Sequence, residues 1–121
     1  MSTSLSNMLV AIRNALYAQR GAVTIPNTHT TQLLSGLLLS EGYLEDILCQ
    51  PDHLSLQFAP NRLTDLAVCS TPGRPLFVRA HEIPTAMNGL GTVFLSTSHG
   101  LLTDSEARRL KIGGEVLCSI W

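Results

Sequence analysis

The chain has 121 residues, of which 45% are apolar and 14% charged, with a formal net charge of −1. That length and apolar content suit one domain or two small lobes and exclude disorder, which needs low hydrophobicity and high net charge. A helical membrane span is excluded as well: the most apolar stretch, Leu33 to Leu39, is interrupted by Ser35 and Gly36 and falls far short of the ~20 residues required.

Near-neutral charge is unlike that of most nucleic-acid-binding domains. Residues 1–59 sum to −2 and residues 60–121 to +1, with no acid before Glu41 and one lysine, Lys111. Cys49, Cys69 and Cys118 form no CxxC pair, so neither a disulfide framework nor an oxidising compartment is expected.

Ser4 is placed to cap a helix from Leu5, in which Leu5, Met8, Leu9, Ile12 and Leu16 recur at helical spacing as a core stripe. Arg13, Tyr17 and Arg20 share another face, and Gly21 is expected to end the helix. A short strand from Ala22 to Ile25 stops at Pro26. Asn27 or Thr28 caps a second helix, with Leu33, Leu34, Leu37 and Leu38 inward and Gly42 at its end. Tyr43 to Cys49 reads as a strand, Pro51-Asp52 as a turn, and Leu54, Leu56 and Phe58 alternate with polar residues as a half-buried strand, giving a hairpin. Pro60-Asn61 is the expected boundary, dividing a 1–60 lobe from a 61–121 lobe.

In the second lobe, Leu66 to Cys69 is a strand and Thr71-Pro72-Gly73-Arg74-Pro75 an irregular loop, because two prolines and a glycine do not serve a ladder. Leu76 to Val78 resumes a strand, Ile83 to Asn88 suggests one helical turn ending near Gly89, and Thr92 to Leu95 is a strand feeding Ser96-Thr97-Ser98-His99-Gly100. Thr103 and Glu106 have capping-box spacing for a short helix that Gly113-Gly114 ends. A last strand runs from Glu115 to Ile120, with Cys118 in the core. The fold class is therefore α+β: a helix–strand–helix–hairpin lobe, then a mostly β lobe with a short helix.

Several chemistries fail on spacing. A Ser98, His99, Asp104 triad needs a serine to present its hydroxyl to the adjacent histidine, while neighbours at a strand end point to opposite faces, and no G-x-S-x-G elbow exists. A metal site from Cys49 and His53 with Cys69 or His81 offers one close ligand pair, whereas structural zinc sites use two. Gly89-Leu90-Gly91 lacks the lysine of a phosphate loop. Two features remain. The hydroxyl run at 96–100 is either a plain turn or a surface for sugar–phosphate and minor-groove edges. The Arg13, Tyr17, Arg20 face is either a solvated helix face or a contact.

Gly89-Leu90-Gly91, Ser96-Thr97-Ser98, Gly100, Thr103-Asp104, Ala107-Arg108 and Gly113-Gly114-Glu115 together resemble the bacterial-type small-subunit ribosomal protein eight, the S-eight family. Ser70-Thr71-Pro72-Gly73 in the middle, and Met8-Leu9, Ile12-Arg13-Asn14, Ala22-Val23-Thr24, Pro26, Glu41-Gly42 and Glu45-Asp46 before it, follow the family's order and spacing. The resemblance implies a non-enzymatic protein without cofactor, metal, membrane partner or small-molecule substrate. It implies binding to a helix in the central domain of small-subunit ribosomal RNA, with neighbouring ribosomal proteins as further partners. Carried over by position, it implies RNA contacts from Ser96, Thr97, Ser98, His99 and Gly100, from the neighbouring loop of Ser70, Pro72, Gly73 and Arg74, and from Arg13, Asn14 and Thr28, with Glu115 shaping the pocket.

The chain departs from the family at His29, Thr31, Leu39 and His99, where lysines are common, and at Phe77, where tyrosine is usual. Each missing cation removes a counterion-release contribution, so a shallow salt dependence of RNA binding is expected. The acid-free, arginine-bearing amphipathic start and the low lysine content suggest a mitochondrial ribosome, with a bacterial or plastid one as the alternative. A protein–protein scaffold with an eroded RNA face is the competing function.

Overall fold

The computed structural model describes residues 3–121 and divides them into two compact units, Thr3–Asp65 and Leu66–Trp121. Both are α+β. Pro60 and Asn61 sit in the turn that follows the last strand of the first unit.

The first unit opens with helix α1 (Thr3–Tyr17), followed by strand β1 (Ala22–Pro26), helix α2 (His29–Ser40) and strands β2 (Leu44–Cys49) and β3 (His53–Phe58). Leu5, Met8, Leu9 and Ile12 are buried as their spacing requires, but Ala15 completes the stripe and Leu16 is only half-buried. Ser4 does not cap α1; it lies inside the helix, its hydroxyl 3.2 Å from that of Thr28. Gly21 does not end it either. Gln19 takes the left-handed conformation (φ 56°), with the Arg20 and Gln19 N–H groups donating to the carbonyls of Ala15 (2.9 Å) and Leu16 (3.0 Å), which closes α1 two residues before the glycine.

Thr28 caps α2. Its hydroxyl accepts from the Thr31 N–H at 3.2 Å, and its own N–H donates to the Thr31 hydroxyl at 2.9 Å. The reciprocal partner is a threonine instead of the usual Glu or Gln. Thr31, Leu34, Ser35 and Leu38 form the buried face of α2, whereas Leu33 is exposed and Leu37 half-buried. Gly42 ends the helix, φ +84°, as its position predicts. The sheet order is β1-β3-β2, all antiparallel, so the last strand in sequence is central and β1 is added to the expected hairpin. Asn27 fixes the hairpin turn to this arrangement by donating its side-chain N–H to the Gln50 carbonyl at 2.7 Å.

The second unit comprises β4 (Leu66–Val68), β5 (Phe77–Val78), β6 (Thr92–Thr97), β7 (Gly100–Thr103), helix α3 (Asp104–Leu110) and β8 (Gly114–Ile120). Strand β8 is the spine: β4 and β5 pair with one of its edges and β6 with the other, and β7 lies outside β6. Val93, Leu95, Leu102, Val116 and Ala107 of α3 form the core on one face. Every residue of β8 from Glu115 to Cys118 is buried, and burial pushes the Cys118 thiol well above its ordinary range.

Three expectations for this unit need correction. Ile83 to Asn88 is not a helical turn. Two 3-10 turns, Ala80–Glu82 and Met87–Gly89, flank a stretch in which Pro84 supplies no backbone donor. The strand expected from Thr92 to Leu95 is longer and has a partner the spacing did not place: β6 continues to Thr97 and turns back as β7. Gly113-Gly114 does not end α3. Lys111 does, in the left-handed conformation (φ 57°), with the Ile112 N–H donating to the Ala107 carbonyl at 2.9 Å. The two glycines serve close packing: a Cβ at Gly113 would lie 2.3 Å from the Val78 carbonyl oxygen, and one at Gly114 would lie 2.4 Å from that of Ser96.

Candidate nucleic-acid interface

Pairing of Thr97 with Gly100 leaves Ser98 and His99 as a two-residue hairpin turn at the tip of β6 and β7. Such turns need residues at positive φ or side chains that hold the backbone. Gly100 supplies the first (φ +96°) and Thr97 the second. The Thr97 hydroxyl donates to the Gly100 carbonyl at 2.8 Å and accepts from the His99 N–H at 3.1 Å. Its hydroxyl proton and one of its lone pairs are thus engaged in the turn. Ser98 and His99 are exposed, with the serine oxygen 3.3 Å from His99 Nδ1.

That contact overturns part of the spacing argument against a triad. Residues in a turn, unlike those on a strand, can bring a serine to the next histidine. The third member is still missing. Asp104 is buried, its carboxylate bound to Arg108 at 3.0 Å and reached by the Val93 N–H at 3.4 Å.

Ser96 lies on β6 directly across from Glu115 on one side and Leu101 on the other, and Glu115 is in turn across from Phe77. Leu95, Val116 and Leu102 point into the α3 core, so their neighbours Ser96, Glu115 and Leu101 face the opposite way. Along that row Glu115 is 9% exposed and Phe77 69% exposed. An exposed aromatic ring thus stands in register with a nearly buried carboxylate and a hydroxyl. Phe77 is a residue the spacing argument did not select, because a lone aromatic in a two-residue strand carries no periodic signal.

The neighbouring loop divides in two. Ser70 is fully buried and its hydroxyl accepts from the Leu76 N–H at 2.8 Å, so it closes the loop from within instead of facing outward. Thr71 and Arg74 exchange backbone hydrogen bonds at 3.3 and 3.1 Å, which presents Pro72, Gly73 and Arg74 at an exposed tip. The Leu76 carbonyl accepts from the Val116 N–H at 2.8 Å, anchoring the loop to the same strand that carries Glu115.

Arg13, Asn14 and Thr28 belong to the first unit. Thr28 is exposed, but its hydroxyl is occupied by the cap. Arg13 is half-buried, Asn14 exposed, and Tyr17 is 65% exposed. Between the end of α1 and β1 lies a cavity of about 600 Å³ lined by Ala11, Ala15, Ala18, Asn14, Arg20 and Thr24 among others. The alanine spacing that opens it reads in sequence as ordinary helix packing.

Among the described residues, no group of three His, Cys, Asp or Glu side chains could hold a metal. His53 Nδ1 is engaged by Asp52 at 2.8 Å, and that hydrogen bond holds the Asp52 carboxyl below its usual range. The amide of Asn27 lies 3.6 Å from the Cys49 sulfur.

A sequence-family model described as ribosomal protein S8 matches residues 3–121. Proteins named small ribosomal subunit protein uS8 from Clostridium acetobutylicum and Clostridium tetani are each 38% identical over 130 residues, covering 100% of this chain and 98% of theirs. The protein of that name from a Clostridium botulinum strain is 36% identical with the same coverage.

Proposed function

Because the chain belongs to the ribosomal protein S8 family, it is a structural constituent of the small ribosomal subunit and not an enzyme, and we propose that its second unit grips a helix in the central domain of small-subunit ribosomal RNA through the 96–100 hairpin. The observation that carries this reading is the turn itself. Thr97 holds a two-residue turn rigid with both of its hydrogen bonds, so Ser98 and His99 are presented at the tip in one geometry. Hydroxyls and backbone groups fixed in this way suit 2′-OH groups and base edges, which RNA displays in a wide, shallow minor groove or in unstacked bases.

Each candidate then has a part. Ser98 and His99 make direct contacts at the tip, and Ser96 and Gly100 flank them. Phe77 offers a stacking surface beside Glu115, whose buried carboxylate limits how closely a phosphate approaches. Pro72, Gly73 and Arg74 border the site. Thr97 and Ser70 position backbone. In the first unit, Arg13 and Asn14 serve a secondary contact with RNA or with a neighbouring ribosomal protein, and Thr28 acts through the α2 cap.

The relatives reported above come from Clostridium, which supports a bacterial ribosome in the cytoplasm over the mitochondrial one suggested by the sequence. Purification of the native particle tests the whole reading. The protein should co-sediment with small-subunit RNA, and Ser98→Ala should weaken its binding to the central-domain fragment at least several-fold with unchanged melting. Recovery of the protein in a particle free of ribosomal RNA would favour the scaffold reading instead.

A further inference from the structure

Two exposed cations that the hairpin reading leaves unused meet at the same end of the second unit's sheet. Arg79 follows β5 directly, and Lys111 closes α3. Gly113 brings their backbones together: a Cβ there would fall 2.8 Å from the Arg79 Cα, so the chain leaving α3 runs against the chain leaving β5. Lys111 lies two residues before Gly113, no more than about 7.6 Å from it along the chain. On the other side of the same strand end, a Cβ at Gly114 would fall 3.0 Å from Thr97 Cγ2. Arg79, Lys111 and the base of the hairpin therefore converge on one glycine pair.

Their charges are free for use. Arg108 is committed to Asp104 and to the carbonyl of Pro84 at 2.6 Å, whereas neither Arg79 nor Lys111 has an ion pair among the described residues. None of the nearby acids forms an ion pair with either cation among the described residues. Glu82 accepts the Arg79 backbone N–H at 3.0 Å, Glu106 accepts from the Thr103 hydroxyl at 3.4 Å, and Glu115 is buried. Lys111 adds an independent observation. Its φ of 57° and ψ of 43° are values that glycine adopts without steric cost, and the hydrogen bonds that close α3 there are made by backbone alone. The helix end does not require a lysine side chain.

We propose that Arg79 and Lys111 are phosphate-binding residues of this RNA surface, each holding one backbone phosphate while the hairpin hydroxyls contact sugar and base edges. The proposal rests on the RNA reading above and supplies the charge that the hairpin itself lacks. Phosphate contacts fix register and carry the salt dependence of binding, whereas hydroxyl contacts carry little of it.

The test is a titration of the full chain against the central-domain RNA fragment at salt concentrations from about 50 to 200 mM, the range in which counterion release is read. Arg79→Gln and Lys111→Gly should each weaken binding several-fold and lower the slope of log K against log salt by about one, and the double variant by about two. Lys111→Gly should melt at or above the wild-type temperature, which separates loss of charge from loss of fold. Ser98→Ala should weaken binding with the slope unchanged. Wild-type slopes in both cation variants, beside a weakened Ser98→Ala, would overturn this inference and leave the RNA reading standing. If wild-type protein does not bind the fragment, both fall.

Discussion

Replacing Thr97 by valine keeps the shape of the side chain and deletes its hydroxyl. Two hydrogen bonds disappear, one to the Gly100 carbonyl (2.8 Å) and one from the His99 N–H (3.1 Å). A typical intramolecular hydrogen bond contributes about 0.5–1.5 kcal/mol net, and this turn is exposed, so water replaces part of the loss. The closed turn should lose about 1–2 kcal/mol relative to open forms. Apparent affinity scales with the fraction of molecules in the competent form, so RNA binding should weaken by up to about 5–30-fold, the full value being reached when the closed turn is only marginally favoured with the hydroxyl in place and disfavoured without it. Global stability should fall much less, because the core of the unit is untouched. Hydrogen exchange at the His99 amide, a melting curve and RNA titration read the three effects separately. Ser98→Ala is the comparison: weakened binding with His99 exchange unchanged. If Thr97→Val left both the His99 amide and RNA binding as in wild type, the hydroxyl would not be what holds the turn.

Leu9→Ala should cost about 2–5 kcal/mol, since Leu9 is completely buried and the deletion leaves a cavity; a urea melt reads it directly. Gly114→Ala should destabilise the second unit by about 1–3 kcal/mol, because the new Cβ would lie 2.4 Å from the Ser96 carbonyl oxygen, and RNA binding should weaken along with melting. Asp52 should titrate below the usual carboxylate range, and His53→Ala should move it up toward that range by removing the 2.8 Å hydrogen bond, the backbone N–H of Asp52 itself still holding it down in part. A carboxyl depressed in the folded state stabilises above its unfolded pKa and loses that contribution as pH falls through the folded value, so His53→Ala should flatten the acid limb slightly; NMR titration of the Asp52 carboxyl checks it.

The first unit was largely legible because its signals are periodic: leucines at helical spacing, alternation in β3, and Gly42 after the last turn of α2. What escaped there was local chemistry. Gln19 ends α1 because a single residue other than glycine can take the left-handed conformation when the Schellman hydrogen bonds hold it, and composition does not report that. The same physics at Lys111 released Gly113 and Gly114 from the helix end and made them packing residues. The hydroxyl run was visible as a string of residues, but its geometry was not. Read as a loop, all of its hydroxyls look equally exposed. Folded as a hairpin, Thr97 turns to the backbone and Ser98 to solvent. Ser70 shows the same limit, since its place beside Pro72 and Gly73 suggested a surface role and the structure buries it under Leu76. Phe77 stands beside Glu115 through strand register, which a two-residue strand does not announce.

Directed hydroxyl-radical probing from the hairpin tip tests the central claim most directly. Ser98→Cys in a Cys49→Ser, Cys69→Ser background would carry a tethered iron chelate at the turn, the exposed Cys49 and the half-buried Cys69 being removed so that only the buried Cys118 remains beside the label. After assembly with small-subunit ribosomal RNA, the account predicts strand cleavage confined to one helix of the central domain, lost when unlabelled wild-type protein competes. Cleavage absent there, or no stronger than from a label on the β2–β3 turn of the first unit, would contradict it.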